Sequence, residues 1–234
     1  MSATSPTAHA FFVDSWHVYS KIVAHNYMFH SELYRELTQM LQQECPHPIS
    51  LLDLGCGDAR FIGPVLQSLQ LTRYCGVDLS EIALALAADN LAPLPCPRRF
   101  HCVDMLTHLQ QPTDTKYDVI FSSFALHHLN AADKATFFNS CRKQLSVGGM
   151  LVLIDVVREE EQDLSAYLEA YCGRMARDWT ALEPDELAFA MTHVRNNDQP
   201  DSLSTLARMA LQSGFSHVEA ISQHTWHRLL AVRY

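Results

Sequence analysis

No apolar stretch in this 234-residue chain reaches the about 18 residues that a membrane-spanning helix needs. Met1 to Ala10 lack the basic-then-apolar order of a secretory signal, so a cytoplasmic location is the expectation. The seven Cys are odd in number and contain no CxxC pair, which argues against a disulfide framework and against a zinc knuckle. Reduced, mostly buried thiols and no metal are expected. Basic residues are scarce, 17 Lys and Arg against 26 Asp and Glu, giving a net charge of −9. A chain of this charge repels phosphate backbones and anionic bilayers, which disfavours broad binding to nucleic acid or membrane. Repeats and low-complexity blocks are absent, and 48% apolar against 18% charged residues excludes a disordered chain. The length suits one domain, or one domain with an insertion.

What is present is an alternation of short apolar runs and longer helical patterns. Strands are expected at Ile49 to Leu54, Arg73 to Val77, Arg99 to Val103, Tyr117 to Ser122 and Met150 to Val156. Helices are expected at Ala59 to Leu69, Glu81 to Leu91 with Ser80 as N-cap, and Ala131 to Leu145. Such βαβ succession implies a parallel sheet covered on both faces. Two regions depart from it: a helical prelude at Asp14 to Glu44, and a helical stretch at Arg158 to Ser204. A helix near Leu206 to Ser213 follows, then strands Val218 to Ser222 and Thr225 to Val232, an antiparallel pair with Gln223 and His224 between them. The fold class is therefore α/β: a doubly wound, mostly parallel, seven-stranded Rossmann-like sheet. Residues 1–47 form an N-terminal helical cap, 48–157 the core, 158–204 a helical insertion and 205–234 the closing helix and strand pair.

The most informative stretch is Leu51-Leu52-Asp53-Leu54-Gly55-Cys56-Gly57-Asp58-Ala59-Arg60. A buried strand ends in a carboxylate and opens through two glycines into a helix whose N–H groups suit a polar ligand. Arg60 stands where a dinucleotide fingerprint has its third Gly, and Asp53 would repel a pyrophosphate while attracting a cationic or hydroxyl-rich ligand. Asp78, 21 residues after Gly57 in Gly76-Val77-Asp78-Leu79-Ser80, is placed to accept both hydroxyls of a ribose. Asp104, in Cys102-Val103-Asp104-Met105, can accept from an exocyclic amine with Met105 on a flat ring. Taken singly, each glycine can be a turn residue and each aspartate a helix cap; jointly they put three acids at the carboxyl edge of one sheet.

From about Ile49 to Val156 the chain resembles the class I S-adenosylmethionine-dependent methyltransferases, especially their small-molecule branch. Asp53 to Ala59 matches the first motif, an acidic residue then GxGxG, with Ala59 replacing the last Gly. Leu126-His127-His128-Leu129 and Gly148-Gly149-Met150-Leu151 also resemble this branch. The resemblance implies S-adenosylmethionine as cofactor and S-adenosylhomocysteine as product. It implies that Gly55, Cys56 and Gly57 line the methionine moiety, with Asp53 near its ammonium. Asp78 and Leu79 would hold the ribose, and Asp104 with Met105 the adenine. Phe121-Ser122-Ser123-Phe124 replaces the Asn/Asp-Pro-Pro-aromatic motif of enzymes that methylate amino groups of nucleobases or glutamine. That points away from such substrates and leaves Ser122 and Ser123 near the sulfonium.

Methyl transfer needs an oriented acceptor, and a base only when the acceptor holds a proton. His127 and His128 are the candidates, His127 for the pocket and His128 for packing, with capping and burial as the plain alternative. Asp155 either orients a base or caps a loop. In related enzymes a helix before motif one covers the cofactor, which makes Tyr19 a cofactor contact and Tyr27 and His30 catalytic candidates. Core packing explains the same pattern, and is favoured for Trp16 and Phe29. Tyr167, Tyr171, Cys172, Met175, Trp179, Phe189, Met191 and His193 suit either a substrate lid or a dimer surface. Glu159-Glu160-Glu161 reads as a solvated helix start. The expected function is methyl transfer to a small-molecule acceptor by a monomer or homodimer. The alternatives are another group transfer from the same cofactor, or a scaffold subunit without turnover.

Overall fold

The computed structural model describes residues 17–234, so Trp16 lies outside the described residues. The chain divides into two units, Glu32–Glu160 with Gln199–Tyr234, and Glu161–Asp198 with the described residues 17–31.

The larger unit holds a seven-stranded sheet. Its strands are β1 (Ile49–Leu54), β2 (Leu71–Asp78), β3 (Arg98–Cys102), β4 (Tyr117–Ser123), β5 (Leu145–Val156), β6 (His217–His224) and β7 (His227–Arg233). Their order is β3-β2-β1-β4-β5-β7-β6. The first five are parallel, and β7 runs antiparallel to both β5 and β6. Every residue of β1 is buried, as the centre of a parallel sheet requires. The helices are α1 (His30–Glu44), α2 (Ile62–Gln67), α3 (Glu81–Asn90), α4 (Met105–Gln110), α5 (Ala131–Gln144) and α8 (Leu203–Gln212), with a single 3₁₀ turn at Leu126–His128.

Alternation along the strands sorts their side chains by face. Leu52, Leu54, Val77, Ile120, Leu151 and Leu153 pack with Phe137, Phe138 and Cys141 of α5 and Leu206 and Ala210 of α8. The opposite face carries Leu51, Asp53, Tyr74 and Phe121, and there Tyr34 of α1 meets Phe121 edge-on at 6.1 Å.

The smaller unit contains a helical segment at residues 17–24, α6 (Leu164–Asp178) and α7 (Pro184–Asn197). Prelude and insertion, separate in the sequence reading, fold together. Lys21 pairs with Glu186 (2.6 Å), Tyr27 stacks on Trp179 (5.3 Å, 6°), and the Tyr27 hydroxyl accepts from the Ala181 N–H (2.8 Å). Tyr167, Tyr171, Cys172 and Met175 are buried along α6.

Several expectations change. The prelude is not one helix: Asn26 and Phe29 adopt left-handed φ of 54° and 58° and break it. Phe29 is half-buried rather than core, with the Arg174 guanidinium 5.0 Å from its ring centre. α2 starts at Ile62 and not Ala59, because Ala59 itself turns left-handed (φ 55°). α4 was not expected; Asp104 is its N-cap. Gly148 and Gly149 lie within β5, not in a turn before it. The hairpin turns at Thr225 and Trp226, two residues later than expected. The Glu159–Glu161 run starts no helix: Glu159 pairs with Arg228 (3.1 Å), and Glu160 accepts from the Ser204 N–H (2.9 Å) at the start of α8. All seven Cys are free thiols, five of them buried. No helix among the described residues is long and apolar enough to cross a membrane.

Candidate active site

The strand order reverses direction between β1 and β4, and in open α/β sheets ligands bind in the crevice beyond the strand ends at that place. The loop after β1 and the loop after β4 meet there. Gly55 has φ +74°, and a Cβ on it would stand 2.9 Å from the Ala125 Cβ, so a side chain at 55 would push the loops apart. Gly55 and Cys56 donate their N–H groups to the Val77 carbonyl (2.8 and 3.0 Å), fixing the first loop to the end of β2. Gly57 donates to Asp78 Oδ2 (2.9 Å), and Asp78 Oδ1 accepts from the Ser80 N–H (2.9 Å). Asp78 therefore joins the glycine loop to the start of α3, and its remaining lone pairs can accept hydroxyl groups. Leu79, beside it, is 73% exposed.

Asp53 is 1% exposed and accepts from the Tyr74 hydroxyl (2.9 Å). Burial pushes its carboxyl up to about 7; Tyr74 pulls it back and the charge of Asp78 adds to the rise. Cys56 is buried beside it, and burial together with these two acids holds its thiol far above the usual range. Asp104 is committed in part to the Thr107 N–H (2.8 Å), and Met105 packs against the core beneath it.

Ser122 donates its hydroxyl to the Leu54 carbonyl (2.8 Å), tying β4 to β1, so it is a structural residue rather than one aimed at a ligand. Ser123 accepts from the Tyr34 hydroxyl (2.9 Å). Phe124 turns left-handed (φ 51°), and the 3₁₀ turn follows. His127 is buried, and its Nδ1 makes a short contact with Asp155 Oδ1. Its backbone N–H donates to Asp155 Oδ2 (3.1 Å), and its carbonyl accepts from the Gln199 N–H (2.8 Å). Burial would raise the Asp155 carboxyl, but the charge and hydrogen bond of His127 outweigh it and hold it below the ordinary value. His128, expected to serve packing, is exposed, with its ring centre 4.0 Å from that of His127.

The candidates thus fall into two groups. Asp53, Gly55, Cys56, Gly57, Asp78, Leu79, Asp104, Met105, Ser122, Ser123, His127 and His128 belong to the larger unit. Tyr19, Tyr27 and His30 belong to the smaller, where Tyr19 and His30 hydrogen-bond each other (3.3 Å) and Tyr27 is engaged with Trp179 and Ala181. Sequence reasoning missed Tyr74 altogether. The signal was there in principle: an aromatic two residues before a glycine on a buried strand.

The donor set suits S-adenosylmethionine. A buried acid whose interacting neighbours, Tyr74 and Asp78, are themselves acidic suits an ammonium, a second acid at the end of β2 suits a ribose, and Gly57 has nothing within 4 Å of where a Cβ would be. Residues 52–151 match the model of a methyltransferase domain. Alpha N-terminal protein methyltransferase 1 of Caenorhabditis elegans is 33% identical over 167 residues, which is 70% of this chain and 62% of that protein. The chain thus spans under two thirds of that relative's length. A carboxy-S-adenosyl-L-methionine synthase of Campylobacter lari is 18% identical over 204 residues, covering 87% of this chain and 85% of that one. Among solved structures, magnesium protoporphyrin IX methyltransferase of Synechocystis, with bound S-adenosylhomocysteine, superposes with a TM-score of 0.59 at 16% identity, over 88% of this chain and 83% of that chain. In its motif, its strand order and the methyltransferase-domain match over residues 52–151, the chain is similar to the class I S-adenosylmethionine-dependent methyltransferases.

Proposed function

We propose that this protein transfers the methyl group of S-adenosylmethionine to a small-molecule acceptor by in-line displacement. The observation that carries the reading is the glycine loop fixed to Asp78 at the sheet's reversal point, facing a second loop whose buried His127 pairs with Asp155 of β5. The bound cofactor supplies an electrophilic methyl on a sulfonium. Asp53, Gly55, Cys56 and Gly57 take the methionine end, Asp78 and Leu79 the ribose, and Asp104 and Met105 the adenine. His127 removes the acceptor's proton. Asp155 keeps Nδ1 engaged, so proton exchange runs through Nε2.

The small-molecule acceptor is favoured by the charge of −9 and by likeness to an enzyme named for magnesium protoporphyrin IX. The nematode relative is named for a protein N-terminus, so peptides with a free α-amino group belong in the acceptor panel. The test is calorimetric titration of S-adenosylhomocysteine into wild type and Asp78→Ala, followed by mass analysis of the turned-over cofactor. Binding on the order of −8 kcal/mol, lost in the variant, together with S-adenosylhomocysteine as product, supports the reading. The Campylobacter relative favours a second reading, in which the cofactor itself is carboxylated. A cofactor product heavier than S-adenosylmethionine would select it.

A further inference from the structure

The end of β1 gathers more acidic character than a buried strand needs. Asp53 lies under the glycine loop, in register with Gly76 on β2 and with Phe121 on β4. Tyr74 reaches its carboxylate because Gly76, on the same face of β2, has no side chain. A Cβ there would stand 3.0 Å from Cys56 Sγ, 3.0 Å from Tyr74 Cε1 and 3.1 Å from Tyr74 Oη. A glycine inside a buried strand weakens it, and commonly marks such a close approach.

Among the described residues, the ionisable groups that interact with Asp53 are acidic. β2 contributes Tyr74, Cys75 and Asp78, and the glycine loop contributes Cys56. β4 offers apolar Phe121, and α1 offers Tyr34, engaged with Ser123. Burial and neighbouring acids put Cys56 and Tyr74 far above neutrality, whereas Asp53 is pushed up to about 7. Of this cluster, Asp53 is the group whose charge changes near physiological pH.

We propose that Tyr74 is a positioning residue of the cofactor site: by holding the Asp53 carboxyl it sets the proton that Asp53 gives up when the cofactor's ammonium arrives. The inference rests on the cofactor reading above. The step is an exchange of charge partners: the Asp53 O–H releases H⁺ to solvent, the carboxylate faces the ammonium, and no bond of the cofactor changes. Tyr74 favours the ionised carboxylate by hydrogen bonding, so it lowers the pH at which the site is ready.

The test is calorimetric titration of S-adenosylhomocysteine from about pH 5.5 to about pH 8.5, in buffer pairs that differ in ionisation enthalpy. Wild type should release close to one proton on binding below the midpoint and none well above it, with affinity rising up to about tenfold per pH unit on the acid side. Tyr74→Phe keeps the ring and its packing; its midpoint should move to higher pH. Asp53→Asn should bind with affinity independent of pH and release no proton. A purely structural Tyr74 would change affinity uniformly and leave the midpoint in place, which overturns the inference. So does wild-type binding without proton release. Absence of wild-type binding at every pH overturns the cofactor reading itself, which separates the two failures.

Discussion

A carboxyl such as Asp53 also has a stability signature that needs no ligand. Its folded-state value of about 7 lies above the ordinary 3.8. Between those two values the folded chain holds a proton that the unfolded chain has released, so stability is greatest on the acid side and falls as pH rises through the folded value. At 1.36 kcal/mol per unit the full penalty is on the order of 4 kcal/mol. Asp53→Asn should therefore leave urea stability nearly unchanged at about pH 4 and raise it at about pH 8. Parallel curves for the two proteins would refute the assignment. The glycine loop offers a second test. Gly55→Ala combines a left-handed alanine, roughly 1–2 kcal/mol, with an overlap against Ala125. Pairing it with Ala125→Gly should recover the overlap part and leave the backbone part, measured as a double-mutant cycle in denaturant. Ala59 already sits left-handed, so Ala59→Gly should be neutral or stabilising by up to about 1 kcal/mol. In turnover, His127→Asn should lower kcat by about 10²- to 10⁴-fold while leaving S-adenosylhomocysteine affinity unchanged.

Segment by segment, the buried ion pair behind the insertion is the most sensitive joint. Lys134 on α5 is 1% exposed and is held by Asp201 (2.7 Å) and the Gln199 carbonyl. Asp201→Asn leaves that ammonium without its counter-charge and should cost about 3–5 kcal/mol in denaturant unfolding. Trp179→Ala should speed amide exchange in residues 17–24 and α6 while β5 and β7 stay protected; uniform acceleration would contradict the division into two units. Legibility differs in the same way. β1, β4 and β5 could be read because apolar runs such as Val119-Ile120-Phe121 and Met150-Leu151-Val152-Leu153-Ile154 are what a doubly covered strand needs, and Ser80 caps α3 as expected (3.1 Å to the Ala83 N–H). α4 escaped because Met105-Leu106-Thr107-His108-Leu109-Gln110 is too short to show a period. The break at Asn26 and Phe29 escaped because neither glycine nor proline marks it. Asp53, Gly55, Gly57 and Asp78 were visible as motif residues, since loop chemistry is local. Tyr74–Asp53 depends on strand register, which no local pattern specifies, whereas Asp155, read as orienting a base or capping a loop, contacts His127 of the 3₁₀ turn.

At the scale of the molecule, the charge of −9 produces a field that attracts cations and weakens with salt. S-adenosylmethionine is a net cation and S-adenosylhomocysteine is neutral overall. Stopped-flow association of the former should slow several-fold between low and physiological ionic strength, and that of the latter should stay nearly constant. The sheet itself leaves the helical insertion free to vary. Arg158 and Ser202 form a parallel bridge, and the Arg158 N–H donates to the Asp201 carbonyl (3.1 Å), so the chain departs and returns at one laced point. A lineage can therefore lengthen, trim or exchange residues 161–198 without disturbing the alignment of β5 with β7. The constraint it meets lies elsewhere in the gene. Lys21 and Tyr27, encoded well over a hundred codons upstream, answer to Glu186 and Trp179, so a transplanted insertion must bring its matching N-terminal segment with it.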